Sequence, residues 1–339
     1  MQLSDFDFVL PPELIAQRAL ADRAASRMLV IDRQAGTFRD HVFGELPSFL
    51  RTGDCLVLND TRVFPSRLHG VRPGHTGRVE IFLLKPLDET RQRWLALGRP
   101  GKKLLVGTEI EFSPRLRGVI EEHREYGERV IRFECEGGVD AAIEEVGHVP
   151  LPPYIRRDDE AGDRERYQTV YARERGSVAA PTAGLHFTPA VLDACARAGA
   201  TEARVTLHVG LGTFEPLRVE TVEENRIHSE LFTIGAEAAG RICAAERVVA
   251  VGTTATRTLE TAFQRGGVAA MEGETEIFLY PGCEFGVVGA MVTNFHLPKS
   301  SLLVLVSAFA GRELMLEAYR HAVRERYRFF SYGDCCLIL

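Results

Sequence analysis

The sequence predicts a discontinuous α/β layered domain interrupted by an inserted antiparallel β-barrel. Two contrasts of texture carry that reading. Residues 66–135 break into short strand-like runs separated by Gly, Pro and charged turns, with little helical periodicity. The segments on either side alternate aliphatic strands with helical patterns, as layered α/β folds do. The simplest arrangement takes 1–61 as the first part of the α/β domain, 62–149 as the inserted barrel and 150–339 as the second part, with joints near Thr61 and Pro150.

Along the chain, "RMLVID" at 27–32 and "DCLVLND" at 54–60 are compact aliphatic runs of strand length. The inserted block then offers "RLHGV", "RVEIFLL", "RWLALGR", "TEIEF", "RGVIEEH" and "RVIRFEC", whose shortness and spacing suit a small barrel or sandwich. Beyond it, strands are expected at "ARVTLHVG", "RVVAVG" and "EIFLY", and helices at 188–199, 236–246, 253–265, 300–310 and 312–327. Thr188 before Pro189 is an N-cap followed by proline at the first helical position. In "TNFHLPKSSLLVLVSAFAG", Ser300 or Ser301 is placed to cap a short helix and Gly311 to stop it. That helix is apolar all round, so it should be buried with its N-terminus held rigidly.

The 339 residues, 45% hydrophobic and 26% charged, are enough for a sizeable core. The longest apolar stretch, 302–310, is about half of a membrane span, and "MQLSDFDF" carries acids where a signal peptide needs basic residues. The chain therefore reads as cytoplasmic. Seven cysteines without a C-x-x-C indicate neither a disulfide framework nor a zinc site, and Cys335 and Cys336 read as core residues. The net charge of −6 hides a segregation along the chain. Residues 62–103 hold ten Lys/Arg against Glu80, Asp88 and Glu89, whereas 104–148 hold eleven Asp/Glu against five Arg. A basic block is either a solvated face or a nucleic-acid footprint. A second basic candidate is the row Arg320, Arg324 and Arg328 at four-residue spacing.

Polar clusters interrupt the apolar strands of the second half. "PTAGLHFT" holds His186, "TLHVGLGTFEP" runs His208 into a Gly210/Gly212 turn, and "NRIHSE" sets His228 two residues from Glu230. "VVAVGTTATRTLET" passes from a strand through Gly252 into a helix whose first turn carries Thr253 and Thr254, with Arg257 one turn on. A strand, a glycine and a helix N-terminus together favour an anionic group. Asn294, His296, Lys299 and Ser300 stand before the apolar helix. Neither G-x-G-x-x-G nor a complete phosphate-binding loop is present, because Gly212 continues as Thr213, Phe214 and Glu215 and "PKSS" lacks its glycines. No H-E-x-x-H pair exists, so no metal site is expected.

Together the strings "FDFVLPPELIAQ", "GDCLVLNDTRVFPSRLHG", "LALGRPGKKL", "RYQTVYA", "GSVAAPTAGLHFT", "TLHVGLGTFEPLRVE", "VGTTATRTLE", "TNFHLPKSSLLVLVSAFAG" and "YRFFSYGDCCLIL" resemble the S-adenosylmethionine:tRNA ribosyltransferase-isomerase family of queuosine biosynthesis, in unchanged order from end to end. Departures are small: Cys283 in "PGCEF", and Cys335 and Cys336 near the end. The resemblance implies an α/β domain with an inserted β-barrel and no metal or redox cofactor. S-adenosylmethionine would be a consumed substrate, its ribosyl moiety passing to 7-aminomethyl-7-deazaguanine at a tRNA wobble position. Adenine and methionine would leave, giving epoxyqueuosine-tRNA.

That chemistry asks for a base at the sulfonium-acidified 5′ carbon and a proton for departing adenine, tasks suited to histidine. His186, His208, His228 and His296 are the candidates, with Glu230 and Asp334 as carboxylate partners, and one sequence does not rank them. Substrate-binding roles fall to Asn59, Thr61, Arg62, Thr253, Thr254, Arg257, Asn294, Lys299 and Ser300. For the tRNA backbone the candidates are Arg67, Lys102 and Lys103, in the basic block.

Overall fold

The computed structural model describes residues 1–210, 217 and 219–339. The Gly212 turn with Thr213, Phe214 and Glu215 lies outside the described residues. The first segment contributes β1 (Arg27–Asp32), β2 (Thr37–Val42) and β3 (Asp54–Asn59). A short β4 (Thr61–Val63) leads into six strands, β5 (Arg67–Val71), β6 (Arg78–Pro86), β7 (Arg93–Arg99), β8 (Glu109–Ser113), β9 (Leu116–His123) and β10 (Glu128–Cys135), followed by α1 (Val139–Val146). The second segment holds α2 (Asp163–Arg166), β11 (Glu174–Ser177), α3 (Pro189–Arg197), β12 (Thr201–Leu207), β13 (Glu230–Ile234), α4 (Ala236–Cys243), β14 (Arg247–Val251) and α5 (Gly252–Gln264). It ends with β15 (Met271–Thr275), β16 (Val288–Asn294), α6 (Ser301–Ala310), α7 (Arg312–Arg324) and β17 (Cys335–Ile338).

Strands from both segments form one sheet in the order β15-β13-β12-β3-β14-β16-β17-β1-β2. Its centre, β12-β3-β14-β16, is parallel throughout. Each of these strands is apolar on both faces except β12, whose burial alternates. That pattern belongs to a sheet covered by helices on two sides. One side packs Cys55, Val57, Val205 and Ala250 against α4 to α7. The other packs Leu56, Leu58, Val249 and Val251 against α3 and the 3₁₀ turns at Phe43–Phe49 and Thr182–His186. The outward residues of β12, Glu202, Arg204 and Thr206, lie on this second side and line a cleft.

The buried helix behaves as its composition dictates. Leu303, Val304 and Val306 of α6 are fully buried, the Ser300 hydroxyl accepts the Leu303 N–H at 3.2 Å, and Gly311 ends the helix at φ 91°. Thr188 caps α3 in the same way, with Pro189 at its first position. Cys335 and Cys336 lie fully buried in β17, which is inserted between β16 and β1.

Two expectations change. "EIFLY" is not a strand: β15 ends at Thr275, whose hydroxyl takes the Ile277 N–H at 3.2 Å and turns the chain off the sheet edge. The terminal helix stops at Arg324, so Arg320, Arg324 and Arg328 do not share one helical face. Arg328 is instead drawn to Asp334 at 2.9 Å.

The six inserted strands close into an antiparallel barrel, β10-β7-β6-β5-β8-β9, around Leu68, Ile81, Trp94, Ile110, Ile131 and Phe133. The chain enters and leaves it side by side, where Arg67 bridges His148 and β4 pairs in parallel with β11. Folding also cancels part of the charge segregation. Arg93 meets Glu121 at 2.9 Å and Arg91 meets Asp140 at 2.7 Å, so bases of the first half are neutralised by acids of the second. Among the described residues no helix is long and apolar enough to cross a membrane.

Candidate active site

In a parallel sheet the carboxyl ends of the strands all open on one edge, where side chains and helix N-termini face a ligand without disturbing the core. Here four adjacent parallel strands end in polar residues: β3 in Asn59, Asp60 and Thr61, β12 in His208, β14 in Gly252, Thr253 and Thr254, and β16 in Asn294 and His296. Asp334, just before antiparallel β17, reaches the same edge because Cys335 pairs with Asn294. His186, from the turn packed on β16, joins them through a 3.3 Å contact between its Nε2 and Asn294 Oδ1.

His208 is the histidine that opens on space. It lines a cleft of about 660 Å³ running along the outward face of β12 to α4, with Asp60, Arg173, Glu174 and Thr206 around the same end. Its Nδ1 lies 2.8 Å from the Thr61 hydroxyl, which also donates to the Glu174 carbonyl at 3.4 Å. With its proton given to Glu174, Thr61 accepts Nδ1–H, and the lone pair falls on Nε2. Gly176 lies against the ring: a β-carbon there would come within 2.7 Å of His208 Cε1. Burial lowers the His208 pKa from its ordinary value, while Glu174 and Asp60 act in the opposite direction. The imidazole is thus held neutral at physiological pH, the form a general base requires.

The other histidines differ. His186 is buried, and burial pushes it down to about 4 although Asp334 and Asn294 favour its charged form. It borders a cavity of about 20 Å³. His296 is sealed beneath α7, its ring Nε2 2.9 Å from the Thr293 hydroxyl and its backbone N–H donating to the Tyr319 hydroxyl, and burial takes the imidazole to about 3. His228 is exposed and makes no hydrogen bond or ion pair among the described residues. The carboxylates are engaged as well. Asp334 accepts the Arg27 and Arg328 N–H groups and the Arg328 guanidinium. Glu230 accepts the Gly210 N–H at 2.8 Å and forms a buried ion pair with Arg257.

Among the substrate-binding candidates, Asn59 is a clamp: its side chain takes the Leu207 and Thr61 N–H groups and donates to the Leu207 carbonyl at 3.0 Å, tying β3 to β12. Thr253 and Thr254 stand in the first turn of α5, and both the Thr254 hydroxyl and Arg257 Nη2 are buried without a partner among the described residues. Asn294 donates to the Phe330 carbonyl at 2.9 Å. Ser300 is occupied in capping. Lys299, at φ 56°, turns its ammonium to Asp7 at 2.6 Å. Arg62 is exposed and lines a crevice of about 110 Å³ where the barrel meets the α/β layers. Arg67, at the near end of the barrel, is tied to the Leu151 carbonyl at 3.2 Å and lies 3.8 Å from Glu80. Lys102 and Lys103 are exposed in a turn following β7, at the far end. Among the described residues no three of His, Cys, Asp and Glu are gathered where they would hold a metal ion.

Residues 3–338 match the family described as queuosine biosynthesis protein. The chain belongs to that family. A protein of Solibacter usitatus, named S-adenosylmethionine:tRNA ribosyltransferase-isomerase, is 60% identical over 100% of both chains. One of the same name from Symbiobacterium thermophilum is 53% identical, again over 100% of each. The crystal structure of S-adenosylmethionine tRNA ribosyltransferase from Thermotoga maritima is 37% identical, covers 99% of this chain and 100% of its own, and superposes with a TM-score of 0.57.

Against this queuosine biosynthesis background, Asp60 is the residue that sequence reasoning passed over. It sits inside "NDTR", between two residues that were singled out, and is only 1% exposed. Its backbone is held by Val205, Arg173 and Glu174, its carboxylate accepts the Thr206 hydroxyl at 2.7 Å, and burial pushes its pKa up against the pull of Thr206 and Arg173. A buried acid at a strand end is a signal only once the strand is known to end beside a cleft.

Proposed function

We propose that this chain transfers and isomerises the ribosyl moiety of S-adenosylmethionine onto 7-aminomethyl-7-deazaguanine at a tRNA wobble position, giving epoxyqueuosine-tRNA and releasing adenine and methionine. The observation that carries the reading is the row of polar groups at the ends of four adjacent parallel strands, with neutral His208 facing the large cleft. The activity for which the relatives are named supports it.

His208, whose Nε2 makes no hydrogen bond among the described residues, takes the proton from the 5′ carbon of the donor. Thr61 fixes the tautomer and Gly176 the plane of the ring. The methionyl carboxylate lies at the N-terminus of α5, where Thr253, Thr254 and the helix N–H groups favour negative charge. Arg257, already balanced by Glu230, holds that corner and offers one further N–H. His186, Asn294 and Asp334 keep the C-terminal segment against β16, so the edge is rigid where charge develops. Bound tRNA lies along the barrel from Arg67 to Lys102 and Lys103, with its unstacked wobble base turned to the cleft.

The test is a reaction of the purified chain with S-adenosylmethionine and tRNA carrying 7-aminomethyl-7-deazaguanine. Adenine and methionine should appear one for one with modified tRNA, and His208→Gln should lower turnover by on the order of 10²–10⁴. Formation of S-adenosylhomocysteine would replace this reading with a methyl transfer, and no consumption of either substrate would leave a tRNA-binding module.

A further inference from the structure

We infer that the cleft along β12 is the pocket for the tRNA's 7-deazaguanine base, and that the Asp60 carboxylate reads it by accepting from the ring N1–H and the 2-amino group. This rests on the function proposed above and adds to it the side chain that selects the base.

Asp60 is an acceptor with capacity to spare. A carboxylate has about four lone-pair sites. Here one oxygen takes the Thr206 hydroxyl at 2.7 Å and the other lies 3.3 Å from Arg173. Burying a charged carboxylate is costly unless donors surround it, so a site that supplies so few suits a ligand that brings its own. The backbone cannot swing away: the Asp60 N–H donates to Val205 at 3.0 Å, and its carbonyl accepts from Arg173 at 2.7 Å and Glu174 at 3.1 Å.

The chemistry of the edge then selects the base. A guanine-type base presents two adjacent N–H donors, N1–H and the 2-amino group, which match the two oxygens of a carboxylate. Adenine presents a donor beside an acceptor, and one carboxylate oxygen would face its ring nitrogen. Replacing ring nitrogen 7 by carbon and adding an aminomethyl group leaves the two-donor edge unchanged, and the substituent lies on the other side of the ring system. A wobble base turned out of its stack is read along this edge. The other carboxylates of the cleft are partly or fully exposed, Glu202 beside Arg204 and Glu237 beside Arg241, both at 2.6 Å, and Glu174 beside Arg173, whereas Asp60 is the buried one. Arg173, the cover over Asp60, is 67% exposed and shared with Glu174, so it is held only by surface ion pairs, which are weak.

The test compares wild type with Asp60→Asn, which keeps size and shape but turns one acceptor into a donor. kcat/KM for tRNA carrying 7-aminomethyl-7-deazaguanine should fall by on the order of 10–100-fold, the discrimination of one bidentate pair. Affinity for S-adenosylmethionine, measured by calorimetry, should not change. A kcat/KM within twofold of wild type, or an equal loss of affinity for S-adenosylmethionine, overturns the inference. A second arm needs no variant: wild-type protein is titrated with an anticodon stem-loop whose wobble base lacks only the 2-amino group. Binding about tenfold weaker than for the full base supports the assignment, and equal binding refutes it. A wild-type protein that makes neither adenine nor modified tRNA fails the proposed function itself, an outcome separate from both arms.

Discussion

Acidification should unfold this protein through two histidines buried as neutral rings. His186 is held at about 4 and His296 at about 3, in both cases chiefly by burial. An unfolded histidine titrates near 6.5, so between that value and the folded one the unfolded chain binds the proton and the folded one refuses it. The stability they contribute is fully present above about pH 6.5 and is lost as pH falls toward 4 and 3. Going from pH 7 to pH 5, each ring costs about 1.8 kcal/mol, and together they remove ~4 kcal/mol of unfolding free energy, a large part of what holds a typical protein folded. Urea denaturation at the two pH values measures the loss directly. The double variant His186→Gln and His296→Gln keeps a side-chain N–H near Asn294 and Thr293 but does not titrate. Its loss between pH 7 and 5 should be smaller than that of wild type by the same ~4 kcal/mol. Equal losses in the two proteins, or imidazole signals of His186 and His296 titrating near 6.5 in the folded state, would refute the reasoning.

Glu230→Gln removes one charge from the buried pair with Arg257 and should cost about 3–5 kcal/mol in the same urea assay; a loss below about 1 kcal/mol would mean that the pair is not desolvated as described. Ser300→Ala deletes the cap of α6 and should cost about 1 kcal/mol, with no change if the helix is anchored by packing alone. Lys102→Ala and Lys103→Ala should each weaken tRNA binding and flatten the dependence of log Kd on log salt by about one unit, Arg67→Ala likewise, while Arg320→Ala and Arg324→Ala on α7 leave the slope unchanged. The reverse result would move the RNA to the helix.

The barrel was legible because local signals suffice there. "RWLALGR" is β7 residue for residue, since a short apolar run closed at both ends by charged residues and turns marks a strand without reference to its partners. The caps at Thr188 and Ser300 were legible for the same reason: a cap is a contact between neighbours in sequence. What failed depends on distant partners. "EIFLY" has strand composition, yet the sheet edge is taken by the less apolar Met271–Thr275, which pairs with β13, and the aromatic residues after it pack on the core. Cys335 and Cys336 were read as core, but no local pattern shows that they enter the sheet between β16 and β1.

The candidate site follows the same division. Motifs at strand ends could be picked out, because polar residues that interrupt aliphatic runs stand out in the sequence. Their separate environments could not. His208 opens on the cleft while His296, similarly placed after a strand, is covered by α7, a difference set by where that helix packs, which no local pattern shows. Lys299 was singled out as a cation for the donor, and nothing in the sequence showed that its ammonium also meets Asp7, on a segment nearly the whole chain length away.

The claim on which the rest depends is that S-adenosylmethionine gives up its ribosyl group and not its methyl. One reaction decides it: the donor is labelled with carbon-13 in the ribose and with deuterium in the methyl group, incubated with the chain and tRNA carrying 7-aminomethyl-7-deazaguanine, and the wobble nucleoside and free methionine are weighed by mass spectrometry. The account predicts that all five ribose carbons appear in the nucleoside while the deuterated methyl remains in methionine. Deuterium in the nucleoside without the ribose label would contradict it.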